Sequence, residues 1–361
     1  MQEVDNIKFM RRCLDLAGKA EGMTYPNPVV GSVIVNSGRV IGEGFHLKPG
    51  EPHAEANAIN SVKDESLLNS STLYVNLEPC SHHGRTPPCA ELIIARGIRK
   101  VVVGTKDTSG KVAGKGIKML RDAGCEVFTG VMEDECRWIN RRFFCFNEFR
   151  RPYIILKWAQ SADGYIDINR KAEHAGSPVW ISGKPERALV HKWRANEQAI
   201  LTGANTMRMD NPRLNVRDWA GDNPLRLVLS SSGQIDFDSA LFKINGTNIV
   251  FTHNSIIKQI NGLKVTLDKN RASARQVADY LFNEGIQSVI IEGGREVLDH
   301  FISTGLWDEA RIFHGKDEFR EGIRAPEISG KVLSIMNFNR SILEIVKNEL
   351  AQQPERVDIN N

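Results

Sequence analysis

Apolar residues recur at helical spacing near the start of the chain, where Ile7, Met10, Leu14 and Ala17 predict an amphipathic helix capped by Asp5 or Asn6. The turn residues Pro26-Asn27-Pro28 follow it. The pattern then changes: Val29 to Val35 is an apolar run, and the Asn36-Ser37-Gly38-Arg39 turn ahead of Val40-Ile41 predicts a hairpin. From there short apolar runs alternate with helical patterns. Helices are predicted over 54–62, 90–96 and 116–123, and strands over 72–77, 100–104 and 126–129. A second series starts after Pro152, with strands over 153–158, 198–202, 225–229, 247–251, 263–267 and 288–291 and helices over 185–194, 272–283 and 296–303. This alternation predicts α/β layers in both halves. The charged, aromatic-rich stretch 133–151 reads as a linker helix, with Trp138, Phe143, Phe144 and Phe146 packing on a domain. Neither half repeats the motifs of the other, so a duplication is not indicated.

A length of 361 residues suits two domains, each able to bury its own core, and the change of pattern at Arg151-Pro152 places them at 1–150 and 151–361. Charge narrows the partners. Lys+Arg of 47 against Asp+Glu of 44 leaves a net +3 with no long basic run, which argues against nucleic acid. A phosphate-bearing small molecule needs only a few local arginines. The start, MQEVDNIKFM, lacks a signal peptide's apolar core, and no apolar run approaches the roughly 18 residues of a membrane span. A cytoplasmic location without membrane contact is the expectation. Of the six cysteines, Cys13, Cys125, Cys136 and Cys145 are expected as reduced, buried or half-buried thiols.

The other two cysteines belong to the chain's most specific motif, His53-Ala54-Glu55 followed by PCSHHGRTPPC from Pro79 to Cys89. His53, Cys80 and Cys89 can fill three positions of a tetrahedral zinc ion and leave the fourth for water, the ligand count of a catalytic site. A structural site would need His46, His82 or His83 as a fourth ligand and would leave Glu55 without a role. A carboxylate two residues from a ligand histidine can take a proton from water and deliver it to leaving ammonia, and this signature is that of nucleobase deaminases. His53 and Cys89 each fall just before a predicted helix, whose N-terminus favours a nearby thiolate. In the second half, Glu292-Gly293-Gly294 follows an apolar strand and opens a helix, so it can receive a phosphate or be an ordinary turn. No G-x-G-x-x-G follows a strand, which disfavours a Rossmann domain.

Eight residues separate Cys80 from Cys89, where nucleoside and RNA-editing deaminases usually place two. Together with PNPVVGSVIV, GEGFH, VAGKGIKML, KWAQSADGYI, WISG, TGANTMRMDNPRLNVR and IEGG, taken in order, the string resembles the bifunctional deaminase-reductases of riboflavin biosynthesis over nearly the whole chain. The resemblance implies a cytidine-deaminase-like α/β/α domain followed by a dihydrofolate-reductase-like α/β domain. It implies zinc and NADPH as cofactors and a small phosphorylated pyrimidine as substrate. A diamino-ribosylamino-pyrimidinone 5'-phosphate would be deaminated, and its ribosyl group then reduced to ribityl. The resemblance sets Asn27, His46 and His82 in the deaminase pocket. In the reductase it sets Gln160, Trp180, Thr206, Asp210, Ser231 and Gly294 against NADPH, and Lys157, Asp163, Arg194, Leu214, Arg217 and Glu292 against substrate. Residue type agrees: Arg194 and Arg217 offer forks for the sugar phosphate, while Lys157 and Glu292 suit the pyrimidine's carbonyl and amino groups. For each arginine a surface salt bridge is the plainer reading.

Three positions depart from the family pattern: Pro178 stands where a Ser is frequent, Ser230 where Asp is common, and Gln160 where a small residue is common. Pro178 offers neither hydroxyl nor backbone donor. It is the best support for one rival reading, a deaminase whose reductase half has become a binding module. The other rival, an RNA-binding base-editing protein, is opposed by the charge and the cysteine spacing. A homo-oligomer is compatible with the family, but the oligomeric state is not legible in the sequence.

Overall fold

The computed structural model describes residues 2–82, 87–109, 113–170, 176, 179–254 and 263–351. The chain divides into two compact units, Met1–Phe149 and Arg150–Asn361. In the first, α1 (Gln2–Gly18) precedes a hairpin of β1 (Gly31–Asn36) and β2 (Arg39–Phe45). There follow α2 (Ala54–Asn60), β3 (Thr72–Leu77), α3 (Cys89–Ala95), β4 (Lys100–Thr105), α4 (Lys115–Asp122), β5 (Glu126–Thr129), α5 (Glu133–Ile139) and α6 (Arg141–Phe149). The sheet order is β2-β1-β3-β4-β5, with β1 antiparallel to β2 and β3 and the last three strands parallel. Alternation along the strands turns Ile34, Leu73, Val75, Val101 and Val103 to one face, against Ile59, Ile93 and Leu120 of α2, α3 and α4. Val33, Val35, Tyr74 and Val102 face the other way, against Phe9, Met10 and Cys13 of α1 and Cys136 of α5. Helices thus cover both faces of the sheet.

Two expectations for this unit change. Helix α1 begins at Gln2 rather than after Asp5 or Asn6, and the Asn6 side chain accepts a hydrogen bond from Tyr74 Oη (2.9 Å) instead of capping. The stretch 133–151 is two helices. Asn140 ends α5 and turns its buried side chain onto Val29, accepting from its N–H at 2.8 Å and donating to its carbonyl at 3.0 Å. Phe144 of α6 is buried, while Trp138 stays half-exposed under the Arg141 guanidinium. Cys13, Cys125, Cys136 and Cys145 are all buried.

The second unit contains β6 (Tyr153–Gln160), β7 (Tyr165–Asp167), α7 (Lys184–Asn196), β8 (Ala199–Gly203), α8 (Ala204–Asp210), β9 (Leu225–Ser230), β10 (Asn248–Thr252) and β11 (Leu263–Thr266). It continues through α9 (Ser273–Asn283), β12 (Ser288–Ile291), α10 (Arg295–Ser303), β13 (Glu309–Gly315), β14 (Ile323–Arg324), β15 (Lys331–Asn337) and β16 (Ser341–Lys347). Nine strands form one sheet in the order β11-β10-β9-β8-β12-β6-β13-β16-β15. The first seven in that order are parallel, and β16 and β15 add an antiparallel edge. Parallel strands need helical crossovers, and Val277, Leu281, Leu298 and Phe301 of α9 and α10 supply the apolar cover for Leu156, Leu201, Leu227 and Ile291. Among the described residues no helix is long and apolar enough to cross a membrane.

Candidate active sites

The first site gathers where the sheet meets α2 and α3. His53 is the N-cap of α2, Glu55 lies in its first turn on the buried face, and Cys89 opens α3. Two glycines bring α2 down onto β2: a Cβ on Gly42 would stand 2.5 Å from the Ala58 carbonyl, and one on Gly44 2.5 Å from the Ala58 nitrogen. His53 Nδ1 faces the sulfurs of Cys80 and Cys89 at 3.5 and 3.4 Å, and the three donor atoms lie within 4.8 Å of one another. Cys89 N–H points at Cys80 Sγ (3.3 Å). The Cys80 thiol is drawn down to about 4 by hydrogen bonding from Cys89 and then from His53, while Cys89 is pushed up by the same bond and by burial. A preformed thiolate beside an imidazole and a second sulfur is a donor set that fits zinc.

Glu55 is only 3% exposed, and burial lifts its carboxyl to about 7, with the Cys80 charge adding to the rise. His46 is held through both ring nitrogens. Its Nδ1 lies 3.2 Å from the Pro52 carbonyl and its Nε2 3.1 Å from Asn27 Nδ2, and burial lowers its basicity. Its ring stands edge-on to His53 at 5.2 Å between centroids, so Asn27 and His46 join the zinc donors in one place. His82 is exposed; His83 lies outside the described residues. Sequence reasoning passed over Glu78, which is buried and whose carboxylate accepts from the backbone N–H groups of Asp107, Gly114, Gly116 and Ile117. An acid directly before the Pro-Cys pair was the available signal.

The second site is a cleft of about 1390 Å³ at the carboxyl ends of the parallel strands, where open α/β sheets hold ligands. It brings together Lys157, Trp180, Arg194, Thr206, Asp210, Leu214, Arg217, Ser231, Glu292 and Gly294. Gln160 and Asp163 do not line it. The Gln160 amide is held by Trp158 Nε1 (2.8 Å) and lies 3.4 Å from His314, and Asp163 ties a turn together, accepting from Ser161 Oγ and the Phe319 and Arg320 amides. Pro178 lies outside the described residues.

Within the cleft, Arg194 departs from its expected role. Its fork is committed to Glu292, Nε to Oε1 at 3.0 Å and Nη2 to Oε2 at 2.7 Å, and its Nη1 reaches the Asn215 carbonyl (3.3 Å). Lys157 Nζ lies 3.6 Å from the same carboxylate. Burial would push Glu292 up, but the Arg194 and Lys157 charges outweigh it and hold the carboxyl at about 2. Burial lowers the Lys157 ammonium. Arg217 stays exposed on the cleft wall, as do Arg208 and Arg213. Asp210 pairs with Arg170, a cleft residue that the sequence reading missed. Gly294 caps α10, and the first turn of that helix lines the cleft.

A zinc-type donor cluster on an α/β/α unit and a ligand cleft on a second, mostly parallel sheet fit an enzyme with two activities, a deaminase joined to a reductase. Residues 3–105 match the cytidine and deoxycytidylate deaminase zinc-binding region, and residues 152–315 match the RibD C-terminal domain. A riboflavin biosynthesis protein RibD from Aquifex aeolicus is 37% identical over 354 residues, covering 96% of this chain and 94% of the relative. Its Escherichia coli counterpart is 32% identical, covering 84% and 86%. The crystal structure of a diaminohydroxyphosphoribosylaminopyrimidine deaminase/5-amino-6-(5-phosphoribosylamino)uracil reductase from Thermotoga maritima superposes with a TM-score of 0.86 at 34% identity, over 96% of this chain and all of that one. The chain belongs to the RibD family of bifunctional riboflavin biosynthesis enzymes. The activities are those of a deaminase and a reductase, with zinc serving the first and NADPH the second.

Proposed function

We propose that His53, Cys80 and Cys89 hold the zinc ion, that Glu55 carries the proton, and that the substrate is a diamino-ribosylamino-pyrimidinone 5'-phosphate. The observation that carries this reading is the convergence of one nitrogen and two sulfurs within 4.8 Å, with the buried Glu55 on the adjoining helix turn. Zinc, when bound, supplies the Lewis acidity that makes water a nucleophile near neutral pH. Glu55 takes the proton from the attacking water and hands it to the departing amine, and a carboxyl that titrates near neutrality serves both steps. Asn27, held from behind by His46, presents its remaining amide atoms to the pyrimidine, and His82 lies on the loop just beyond Cys80.

In the second cleft NADPH, when bound, supplies a hydride. Lys157 and Glu292 hold the pyrimidine end of the deaminated substrate, and Arg194 keeps the Glu292 carboxylate charged and aimed. Arg217 receives the sugar phosphate, while Trp180, Thr206, Asp210, Ser231 and the start of α10 receive the cofactor, its phosphates drawn to the N-terminus of that helix. The partners are small molecules rather than nucleic acid, consistent with the small net charge, and the cytoplasm is the proposed location. A homo-oligomer is supported by the edge strand β15, which leaves Val332 and Ile335 exposed, and light scattering tests it. The test of function is to incubate purified chain with the diaminopyrimidine phosphate, with and without NADPH, and weigh the products. Deaminated ribosyl product without NADPH and ribityl product with it support the reading; unchanged substrate in both defeats it.

A further inference from the structure

We propose that Glu78 is a positioning residue that holds Cys80 in place for zinc, an inference that rests on the reading of His53, Cys80 and Cys89 as ligands. Glu78 is 4% exposed and stands two residues before Cys80, in the loop leaving β3. Both its oxygens are bonded in pairs: Oε2 accepts from Asp107 N–H (3.2 Å) and Gly114 N–H (3.0 Å), and Oε1 from Gly116 N–H (2.9 Å) and Ile117 N–H (3.1 Å). The four donors come from the loop after β4 and the first turn of α4, so one carboxylate ties three chain segments together. Between Glu78 and Cys80, the Pro79 carbonyl rests directly on Gly116, where a Cβ would stand 1.9 Å from that oxygen. On its other side Cys80 is held by α3, through Cys89 N–H to its sulfur (3.3 Å) and Ala90 N–H to its carbonyl (3.1 Å). The cysteine is therefore clamped between two helix starts, and Glu78 closes one side of the clamp.

Only a carboxylate fills this role. Glutamine keeps the shape but has a single acceptor oxygen, and its NH₂ would meet two N–H groups head-on. Groups behind metal ligands typically govern metal affinity by about 10–100-fold. The experiment loads the full-length chain with zinc and follows its release to a chromogenic chelator in wild type, Glu78→Gln, Cys80→Ala and Leu120→Ala. Leu120 is a fully buried α4 core residue and takes no part in Glu78's bonds, so its variant reports what loosening that helix does by itself. Glu78→Gln, folded by circular dichroism, should release zinc about 10–100-fold faster than wild type and faster than a Leu120→Ala chain destabilised at least as much. Release at the wild-type rate, or matched by Leu120→Ala, overturns the proposal. So does a Glu78→Gln chain that cannot fold, because Glu78 would then serve the fold and not the metal. Zinc retained by Cys80→Ala would instead show that the ligand reading itself is wrong, and the proposal would fall with it.

Discussion

Among single residues, Glu55 and Glu292 show how one side-chain type is steered to opposite ends of its range. Glu55 is buried next to a thiolate and rises to about 7; Glu292 is buried between Lys157 and Arg194 and falls to about 2. If Glu55 is the proton carrier, Glu55→Gln should keep its zinc, measured by elemental analysis, while deamination drops by about 10²–10⁴-fold. Normal turnover, or zinc loss equal to that of Cys80→Ala, would remove Glu55 from that role. For Glu292 the folded value lies below the ordinary 4.5, so its stabilising effect is present above pH 4.5 and is lost as pH falls toward 2. Urea unfolding of Glu292→Gln should show a wide gap from wild type at pH 7 that narrows between pH 4.5 and 2. A gap constant across that range would contradict the assignment. The clustering of His53, Cys80 and Cys89 was legible in the sequence because a metal site needs particular residue types at particular spacings. The use of Arg194 was not: whether a guanidinium faces a carboxylate or a ligand depends on which elements the fold sets side by side, here the end of α7 and the turn after β12.

Elements with a buried face and a clear period, such as β3, β4, α9 and β12, lie within a residue or two of where the apolar pattern puts them. The strands after Ser303 carried no such signal. In β15 the residues of both faces are mostly exposed, and in β13 the buried Arg311, paired with Glu309, interrupts the apolar run. Such strands are defined by the neighbour they pair with. The break between α5 and α6 is also tertiary, since Asn140 serves Val29, a residue 111 positions away. Asn140→Ala would leave the buried Val29 N–H without its acceptor, while the Val29 carbonyl keeps Asn76 Nδ2, and should lower stability by about 1–3 kcal/mol. Thermal unfolding is the check, and an unchanged midpoint would mean that water replaces the amide.

On the scale of the whole molecule, length and the restart of the pattern at Pro152 pointed to two domains, and each compact unit has its own sheet and its own site. Two separate active sites in one chain, one hydrolytic and one reductive, follow from that division. Glu292→Ala should therefore stop the sequence at the deaminated ribosylamino product, which would accumulate and be seen by mass. The most direct measurement gives the Glu55→Gln chain the diaminopyrimidine phosphate and the pre-deaminated substrate in separate reactions, following ammonia release in the first and NADPH oxidation in the second. Ammonia release should collapse while NADPH oxidation continues at the wild-type rate; loss of both in a folded chain would mean that the two sites are coupled or shared.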